Sequence, residues 1–478
     1  MVNTTNENIT QDAVEWALSH GMAFKSNNNS AKHTAFSLMP SVISRHSFSK
    51  LKSSVSLLGK LVHNVAQDHE FLKKAISPIT AGDPFFKALL KMHQQLHKTP
   101  ETAPRLPLLI MRSDFMDDAT LGPKLIEFNG IAAGMGPFGE KIHQLHKYIK
   151  QQWSLTHGHY PNYNLGELID NPAISSLSAG IAKATLAIKT EFSDNGPATF
   201  LMIVQENEDN VFDQHLLEYA LQAKGIKTIR KTFRDLYGNL STGSNQRLML
   251  KGIGSIDTVY LRAGYQYCDY ASHDIFSKTC CKSLIQTRVL IEKHRVAVNA
   301  TVSQQLATSK RVQMLLSSMS IKALTQYGLT FEEAEQVKAL LGDMLPITSD
   351  SAELIKQSSE DKWVLKNQGE GGGHCVFGAG IYKKLKHLKP DEYQAWTLMS
   401  RLHPKTQASQ SLLVRDSKLY SVNDLISEIG LFTVHINGQA SNEEQGYAGY
   451  LIRSKSASTT EGGVHSGMGV LDSLAYSD

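Results

Sequence analysis

Apolar positions in the first hundred residues recur at three- and four-residue intervals, the spacing that lines one face of a helix. Ala13, Val14, Ala17 and Leu18 set the first such stretch, with Thr10 placed to cap its start and Gly21 to end it. Similar stretches run to about His97, where Pro104 and Pro107 break the pattern. Two apolar runs of strand length follow, at residues 108–111 and 125–128. After a turn at Asn195, Gly196 and Pro197, residues 199–204 read as a buried strand and 212–223 as an amphipathic helix closed by Gly225. Residues 226–233 and 258–261 read as further strands, and this order predicts a compact parallel-sheet α/β unit inserted into a longer chain. Helical spacing returns over 282–316, and Thr330 with Glu333 forms a capping box ahead of Ala334, Val337, Leu340 and Leu341. The final part changes character: 363–366, 396–399, 420–424, 430–436 and 450–453 read as successive strands, and 456–460 as a polar loop.

A chain of 478 residues exceeds what one core usually holds, so two or three structural units are expected. A hydrophobic share of 41% and a charged share of 20% exclude disordered, collagenous and disulfide-scaffold classes. The net charge of +4 comes without a long basic run, which argues against nucleic acid as a partner. The N-terminus is polar and no stretch has the length of a membrane span, so a cytoplasmic enzyme without membrane contact is expected. The cysteines, Cys268, Cys280, Cys281 and Cys375, form neither a disulfide framework nor a zinc pattern.

Three clusters could carry chemistry. Lys366-Asn367-Gln368-Gly369-Glu370-Gly371-Gly372-Gly373 follows directly on a strand, placing Lys366, Gln368 and Glu370 on one side of an extended chain beside glycines. Backbone N–H groups at such glycines approach phosphate closely, Lys366 neutralises it, and Glu370 suits Mg²⁺; the alternative is a solvated hairpin loop. In the second cluster, Arg112-Ser113-Asp114-Phe115-Met116 precedes Leu125-Ile126-Glu127-Phe128-Asn129, where Glu127 and Asn129 alternate as hard oxygen donors; polar residues on a strand edge are the blander reading. The third, Arg453-Ser454-Lys455, puts two cations on one face ahead of Glu461-Gly462-Gly463-Val464, either a closing lid or a basic surface strand. Gly134-Met135-Gly136-Pro137-Phe138-Gly139 matches a dinucleotide fingerprint, but Pro137 removes an N–H and no second strand with its acid follows. His93 and His97 have the i, i+4 spacing of metal ligands without the glutamate of a zincin, which favours a solvated helix face.

In this order the clusters resemble the eukaryotic-type glutathione synthetases, a circularly permuted branch of the ATP-grasp enzymes, together with Asn210-Val211-Phe212-Asp213-Gln214 and residues 451–467. The resemblance implies an α/β ATP-grasp fold, with residues 1–196 and 305–478 as the catalytic region and 197–304 as an inserted substrate-binding domain. It implies a homodimer that ligates γ-glutamyl-cysteine to glycine with ATP and Mg²⁺ through an acyl phosphate. Glu127, Asn129 and Glu370 fall at the family's metal positions, and Arg112, Lys366 and Arg453 at its catalytic ones. Lys310, Lys366, Gln368, Gly371, Gly372, Gly373, Phe377, Met399, Leu402, Glu428, Lys455 and Glu461 fall at nucleotide contacts. Arg112, Ala132, Gly134, Glu208, Asn210, Gln214, Arg262, Tyr265, Arg453, Val464 and His465 fall where substrate is held.

The departures concern specificity. Ala132 and Gly134 stand where serines are usual, Ala263 replaces an acid, Cys375 and Phe377 replace an asparagine and a tyrosine, and Ser400 a glutamate. His465-Ser466 replaces the two small residues of glycine-using members. A homoglutathione-type ligase with another acceptor, or a nucleotide-binding pseudoenzyme, are the alternatives, and joint retention of Glu127, Asn129, Glu370, Lys366 and Arg453 argues against the latter.

Overall fold

The computed structural model describes residues 2–26, 30–98, 104–153, 166–272, 277–359, 361–369, 375–407, 410–460, 462–465 and 467–478. Its centre is a mixed sheet of 13 strands built around one long strand, Leu106–Asp118. Along one edge this strand pairs antiparallel with Leu425–Ile436, which pairs in turn with Tyr447–Ser456 and then Val470–Asp472. Along the other edge it pairs parallel with Ala297–Asn299 up to Pro107, and from Arg112 onward forms a hairpin with Gly122–Asn129. The side-chain amide of Asn299 bridges the interval, donating to the carbonyls of Leu108 and Ile110 at 3.1 and 3.3 Å. Beyond Ala297–Asn299 come Thr258–Leu261, Thr199–Ile203 and Lys227–Lys231, all parallel. These are the parallel strands that the apolar runs after residue 197 predict, and they continue the sheet without a break in its backbone pairing.

Both faces of this sheet are covered, which is why its strands read as unbroken apolar runs. Leu109, Met111 and Phe115 join a core with Leu51, Leu58 and Val62 of the helix Arg45–Gln67. Leu108 and Ile110 face the other way, into a core with Phe138 and Ile142 of Gly136–Trp153 and Leu177 and Ile181 of Ala173–Phe192. A smaller antiparallel sheet orders its strands Met344–Pro346, Trp396–Ser400, Trp363–Asn367 and Cys375–Phe377. Trp363, Leu365 and Leu398 pack there against Ile381 and Leu385 of the helix Ala379–His387.

Local signals are realised unevenly. The capping box of Thr330 and Glu333 forms in full, and Gly21 turns the chain at φ +79°. Thr10 does not cap: the first helix is Val2–Ser19, which leaves Thr10 inside it and buried. Four strands of two to four residues between Ala23 and Ile43 replace expected helix, being too short to show a period. For the same reason the buried three-residue strand Ala297–Asn299 interrupts the helical spacing of 282–316.

The helix Gly136–Trp153 lies hard against the sheet. A Cβ at Gly139 would sit 2.1 Å from the Tyr450 carbonyl oxygen, and one at Gly136 2.7 Å from Leu177 Cδ1. Gly139→Ala is therefore expected to cost about 1–3 kcal/mol through overpacking against backbone. Equal urea midpoints for variant and parent would show that the helix can shift to accept the methyl.

Burial sets the acid limit of the fold. His93, His143, His146 and His435 are buried, and burial, ahead of other causes, lowers each pKa from 6.5 to about 4. Between those values the unfolded chain binds more protons than the folded one, so stability present above about pH 6.5 drains away as pH falls toward 4. Asp472, pushed by burial from 3.8 to about 7, acts in the opposite sense, as do Glu140 and Asp213, whose carboxyls burial also raises, but with His63, His69 and His97 lowered too the histidines outnumber them seven to three. A urea midpoint that is lower near pH 5 than near pH 7 is the expected result; no change would refute it.

Candidate functional site

The face of Leu106–Asp118 that carries Leu108 and Ile110 into the core carries Arg112 and Asp114 next, where the covering helices give way to a loop. The Asp114 carboxylate is fully buried and accepts from Arg112 Nε at 2.6 Å and Nη2 at 2.8 Å. It also accepts from Arg453 Nη2 and Asn129 Nδ2, both at 2.9 Å. One carboxylate thus orients two guanidinium groups and an amide. Gly430 lies opposite Asp114 in the register, and a Cβ there would meet Arg112 Cδ at 2.7 Å and Asp114 Oδ1 at 2.8 Å. The missing side chain leaves room for the ion pair. Arg453 also closes on Glu428, its cross-strand neighbour.

Glu127 and Asn129 alternate along the hairpin strand Gly122–Asn129, as their spacing predicts. The Asn129 amide nitrogen is turned to the Asp114 carboxylate and, at 3.4 Å, to the Arg112 carbonyl, which directs its oxygen away from them as a donor for a cation. Partial burial works against charge on Glu127, but Lys310, Lys366, Arg453 and Arg112 together outweigh it and pull its pKa from 4.5 to about 2. Lys310 Nζ stands 3.5 Å from Glu127 and donates to the Gly369 carbonyl at 3.0 Å. Lys366 Nζ reaches the Ile126 carbonyl at 3.2 Å. The two lysines come from different elements, the start of the helix Lys310–Ser318 and the smaller sheet.

By register Lys366, Phe377 and Met399 share one face of the smaller sheet, since Val364 pairs with both Phe377 and Met399. Met399 packs with Met314, Met344 and Ile126, an apolar wall beside the cations. Gln368 is buried and accepts the backbone N–H of Arg311 at 3.0 Å. The Arg311 guanidinium, also buried, has no hydrogen-bond partner for Nε and Nη1 among the described residues. Leu402 is half-buried just past the strand Trp396–Ser400, and Lys455 Nζ donates to the Thr460 carbonyl at 2.8 Å. Glu370, Gly371, Gly372, Gly373 and Glu461 lie outside the described residues.

A second cluster sits across the loop 130–135. Arg112 Nη1 donates to the Gly134 carbonyl at 3.1 Å, while a Cβ on Gly134 would sit 2.4 Å from Arg262 Nη2, so the loop separates two arginines. Ala132 and Met135 hold φ of +51° and +67°, a left-handed conformation costing about 1–2 kcal/mol each. Arg262 reaches Asp213 at 3.4 Å. Glu208 accepts from the Asn210 backbone at 3.0 Å and from Gln214 Nε2 at 2.6 Å. Burial, then the charges of Asp269 and Glu208, raise the Tyr265 phenol to about 12, so it stays protonated as a donor. Asn210 Oδ1 and Arg262 Nε are buried without a partner among the described residues, polar atoms that a bound ligand would satisfy. Val464 is buried, and His465 Nε2 stands 3.1 Å from Asp209 with its ring edge-on to Phe24.

Three residues that sequence reasoning left without a role stand out. Asp114 stands in sequence as one member of a motif, although its i, i+2 relation to Arg112 on a strand signals the pair. Arg311 carries no signal beyond following Lys310. Asp213 accepts from the backbone of Met135 at 3.0 Å and Phe138 at 3.3 Å, so a protein carboxylate serves the helix start of the fingerprint-like glycine run. The solvated face expected for His93 and His97 is a correction: His93 is buried and both rings pack with His69.

Residues 3–476 match the family model described as eukaryotic glutathione synthase, ATP binding domain. The glutathione synthetase of Homo sapiens is 28% identical over 480 residues, covering 98% of this chain and 96% of the human one. The glutathione synthetase large chain of Schizosaccharomyces pombe is 28% identical over 506 residues, covering 99% and 98%. Among solved structures, a glutathione synthetase like-effector from Globodera pallida, in its apoform, aligns with a TM-score of 0.72 over 99% of this chain and 97% of its own, a shared fold at 19% identity. With a family match that spans the site and both sheets, the chain belongs to the eukaryotic glutathione synthase family.

Proposed function

We propose that this ATP-dependent ligase joins γ-glutamyl-cysteine to glycine, giving glutathione, ADP and phosphate through an acyl phosphate. The observation that carries the reading is Glu127, held ionised among Lys310, Lys366, Arg453 and Arg112 at the meeting of the two sheets. Lys310 and Lys366 take the nucleotide phosphates, with the methionine wall around Met399 and the half-buried Phe377 and Leu402 beside the base. Gln368, Glu428 and Lys455 border this nucleotide side, and Glu370, Gly371, Gly372, Gly373 and Glu461 are assigned to it by position in sequence. Glu127 and Asn129 supply the hard oxygens that Mg²⁺ requires, and the ion would offset polyphosphate charge.

Arg112 and Arg453, fixed by Asp114, neutralise the reacting carboxylate of the dipeptide and the charge that develops as its oxygen takes the γ-phosphoryl group. The acceptor amine then attacks the acyl carbon and phosphate leaves. No covalent enzyme nucleophile is required; positioning and charge carry the reaction. Arg262, Glu208, Asn210, Gln214 and Tyr265 hold the dipeptide on the parallel strands, the region 197–304 that reads as the substrate-binding domain, with Ala132 and Gly134 lining the loop between. Residues 1–196 and 305–478 then form the ATP-grasp region, and family likeness supports a cytoplasmic homodimer.

Val464 and His465 border the acceptor. A polar ring paired with Asp209 there favours testing a second reading, an acceptor larger than glycine. Phosphate release from ATP and Mg²⁺ with γ-glutamyl-cysteine, in parallel with glycine, β-alanine, serine or no acceptor, decides between them. Release dependent on dipeptide and glycine, with glutathione detected by mass, is expected; release only with another acceptor would move the specificity, and none at all would refute ligation of this dipeptide.

A further inference from the structure

Away from the ligase site, three histidines from two helices converge. His69 opens the helix His69–Ile76, and His93 and His97 lie one turn apart at the end of Pro84–Leu96 and just past it. One nitrogen of each ring lies within 4.8 Å of the other two. His93 Nε2 and His69 Nδ1 are 3.3 Å apart. Two ligands each about 2.0–2.1 Å from a tetrahedral zinc stand roughly 3.4 Å from one another, so this pair already has the spacing of a tetrahedral edge.

The hydrogen bonds fix where lone pairs point. Arg105 Nη2 lies 3.3 Å from His97 Nε2, and a guanidinium only donates, so that nitrogen is unprotonated and offers a lone pair. Of the facing nitrogens of His93 and His69, one must accept from the other. Burial first, with Arg105 among the further causes, lowers all three pKa values, in keeping with the neutral ring that the Arg105 contact already requires of His97. Neutral imidazole is the ligand form. The positive charge of Arg105 is countered by Glu292, whose carboxylate lies 2.8 Å from Arg105 Nε, and the charges of Asp68 and Glu70 oppose the effect of Arg105 on His69.

We propose that His69, His93 and His97 form a binding site for a divalent transition ion of the zinc type, with a fourth position left for water. For all three to ligate, whichever of His93 and His69 donates must shift that proton to its other ring nitrogen, and His97 must swing inward, away from Arg105 and from Ser303 Oγ at 3.2 Å. Ser303 belongs to Val302–Ala307, whose chain continues into Lys310, so loading the site would join the helices His69–Ile76 and Pro84–Leu96 and release the His97 contact with the segment that leads to a nucleotide-side lysine.

The test uses the full chain, stripped with chelator and held in excess Mg²⁺ to mask the ligase site, titrated with Co²⁺ as a spectroscopic probe and with Zn²⁺ in thermal melts. Saturation at one Co²⁺ per chain with the visible absorption of four- or five-coordinate cobalt, and a Tm raised by Zn²⁺, are expected. His69→Gln and His97→Gln alter half-buried rings, and their folding is checked by an unchanged metal-free Tm. Each should weaken Co²⁺ binding by at least about 10-fold, no less than loss of an outer-shell partner. Absence of saturable Co²⁺ binding, or the same spectrum and affinity in both variants, would overturn the site and leave a stack of neutral imidazoles. Phosphate release with ATP, dipeptide and acceptor in Mg²⁺ alone, before any Co²⁺ or Zn²⁺ is added, reads the ligase separately, so failure of one does not decide the other.

Discussion

Asp114→Ala is expected to cost the fold about 3–5 kcal/mol, because it removes a buried carboxylate that holds Arg112 and helps hold Arg453. The figure sits at the high end for single substitutions, since two guanidinium groups lose a shared buried carboxylate, with Glu428 remaining to Arg453 and the Gly134 carbonyl to Arg112. Urea midpoints would measure it, and a loss under about 1 kcal/mol would mean that the two arginines find other partners or water. Should the alanine variant fail to fold, Asp114→Asn keeps the volume and one acceptor oxygen. Its turnover should fall by about 10²-fold, the scale for losing one preorganised electrostatic contribution. Parental turnover in Asp114→Asn would remove Asp114 from the positioning of the reacting carboxylate.

Glu127→Gln is the complementary case, aimed at chemistry rather than fold. The side chain is about a quarter exposed, keeps its shape as an amide and can still accept from Lys310, so the protein should fold. Metal-dependent turnover should nevertheless drop by about 10²-fold or more, as the charged oxygen donor is lost. Because the four cations hold the folded pKa near 2, Glu127 stabilises the folded state above its ordinary 4.5, and this contribution is lost as pH falls from there through about 2. Glu127 therefore stays ionised throughout any ordinary assay, and no limb of the pH–rate profile above about pH 4 should vanish in the variant. Near-parental activity at saturating Mg²⁺ would strike Glu127 from the metal ligands.

What the sequence revealed of this site depended on how local each signal was. Glu127 and Asn129 were legible because strand alternation puts both on one face. Lys366 was legible because it leaves a strand at a glycine run. That Lys310 stands beside Glu127 was not, since 183 positions of chain separate them (310 minus 127) and only tertiary packing brings them together. The parallel strands 199–203 and 258–261 announced themselves as apolar runs between turns, whereas Ala297–Asn299 was hidden by being three residues long inside helical spacing. His93 and His97 illustrate the opposite failure. Their spacing was read correctly as one helix face, but which way that face points is decided by His69 and Arg105, which no period in residues 84–97 can encode.

The strand Leu106–Asp118 has a mechanical consequence. Backbone pairing runs unbroken from Lys418–Val422 at one rim to Lys227–Lys231 at the other, and this strand is the link between the antiparallel and parallel halves. Swinging one half against the other would tear ladder bonds in a strand buried on both faces, so the large sheet works as a stator. The smaller sheet has its own core and meets the large one through side chains such as Lys366 and Met399 and through the flanking backbone at His403 and Lys405, with no strand laddered between the two sheets among the described residues, so any closing movement is expected at that boundary.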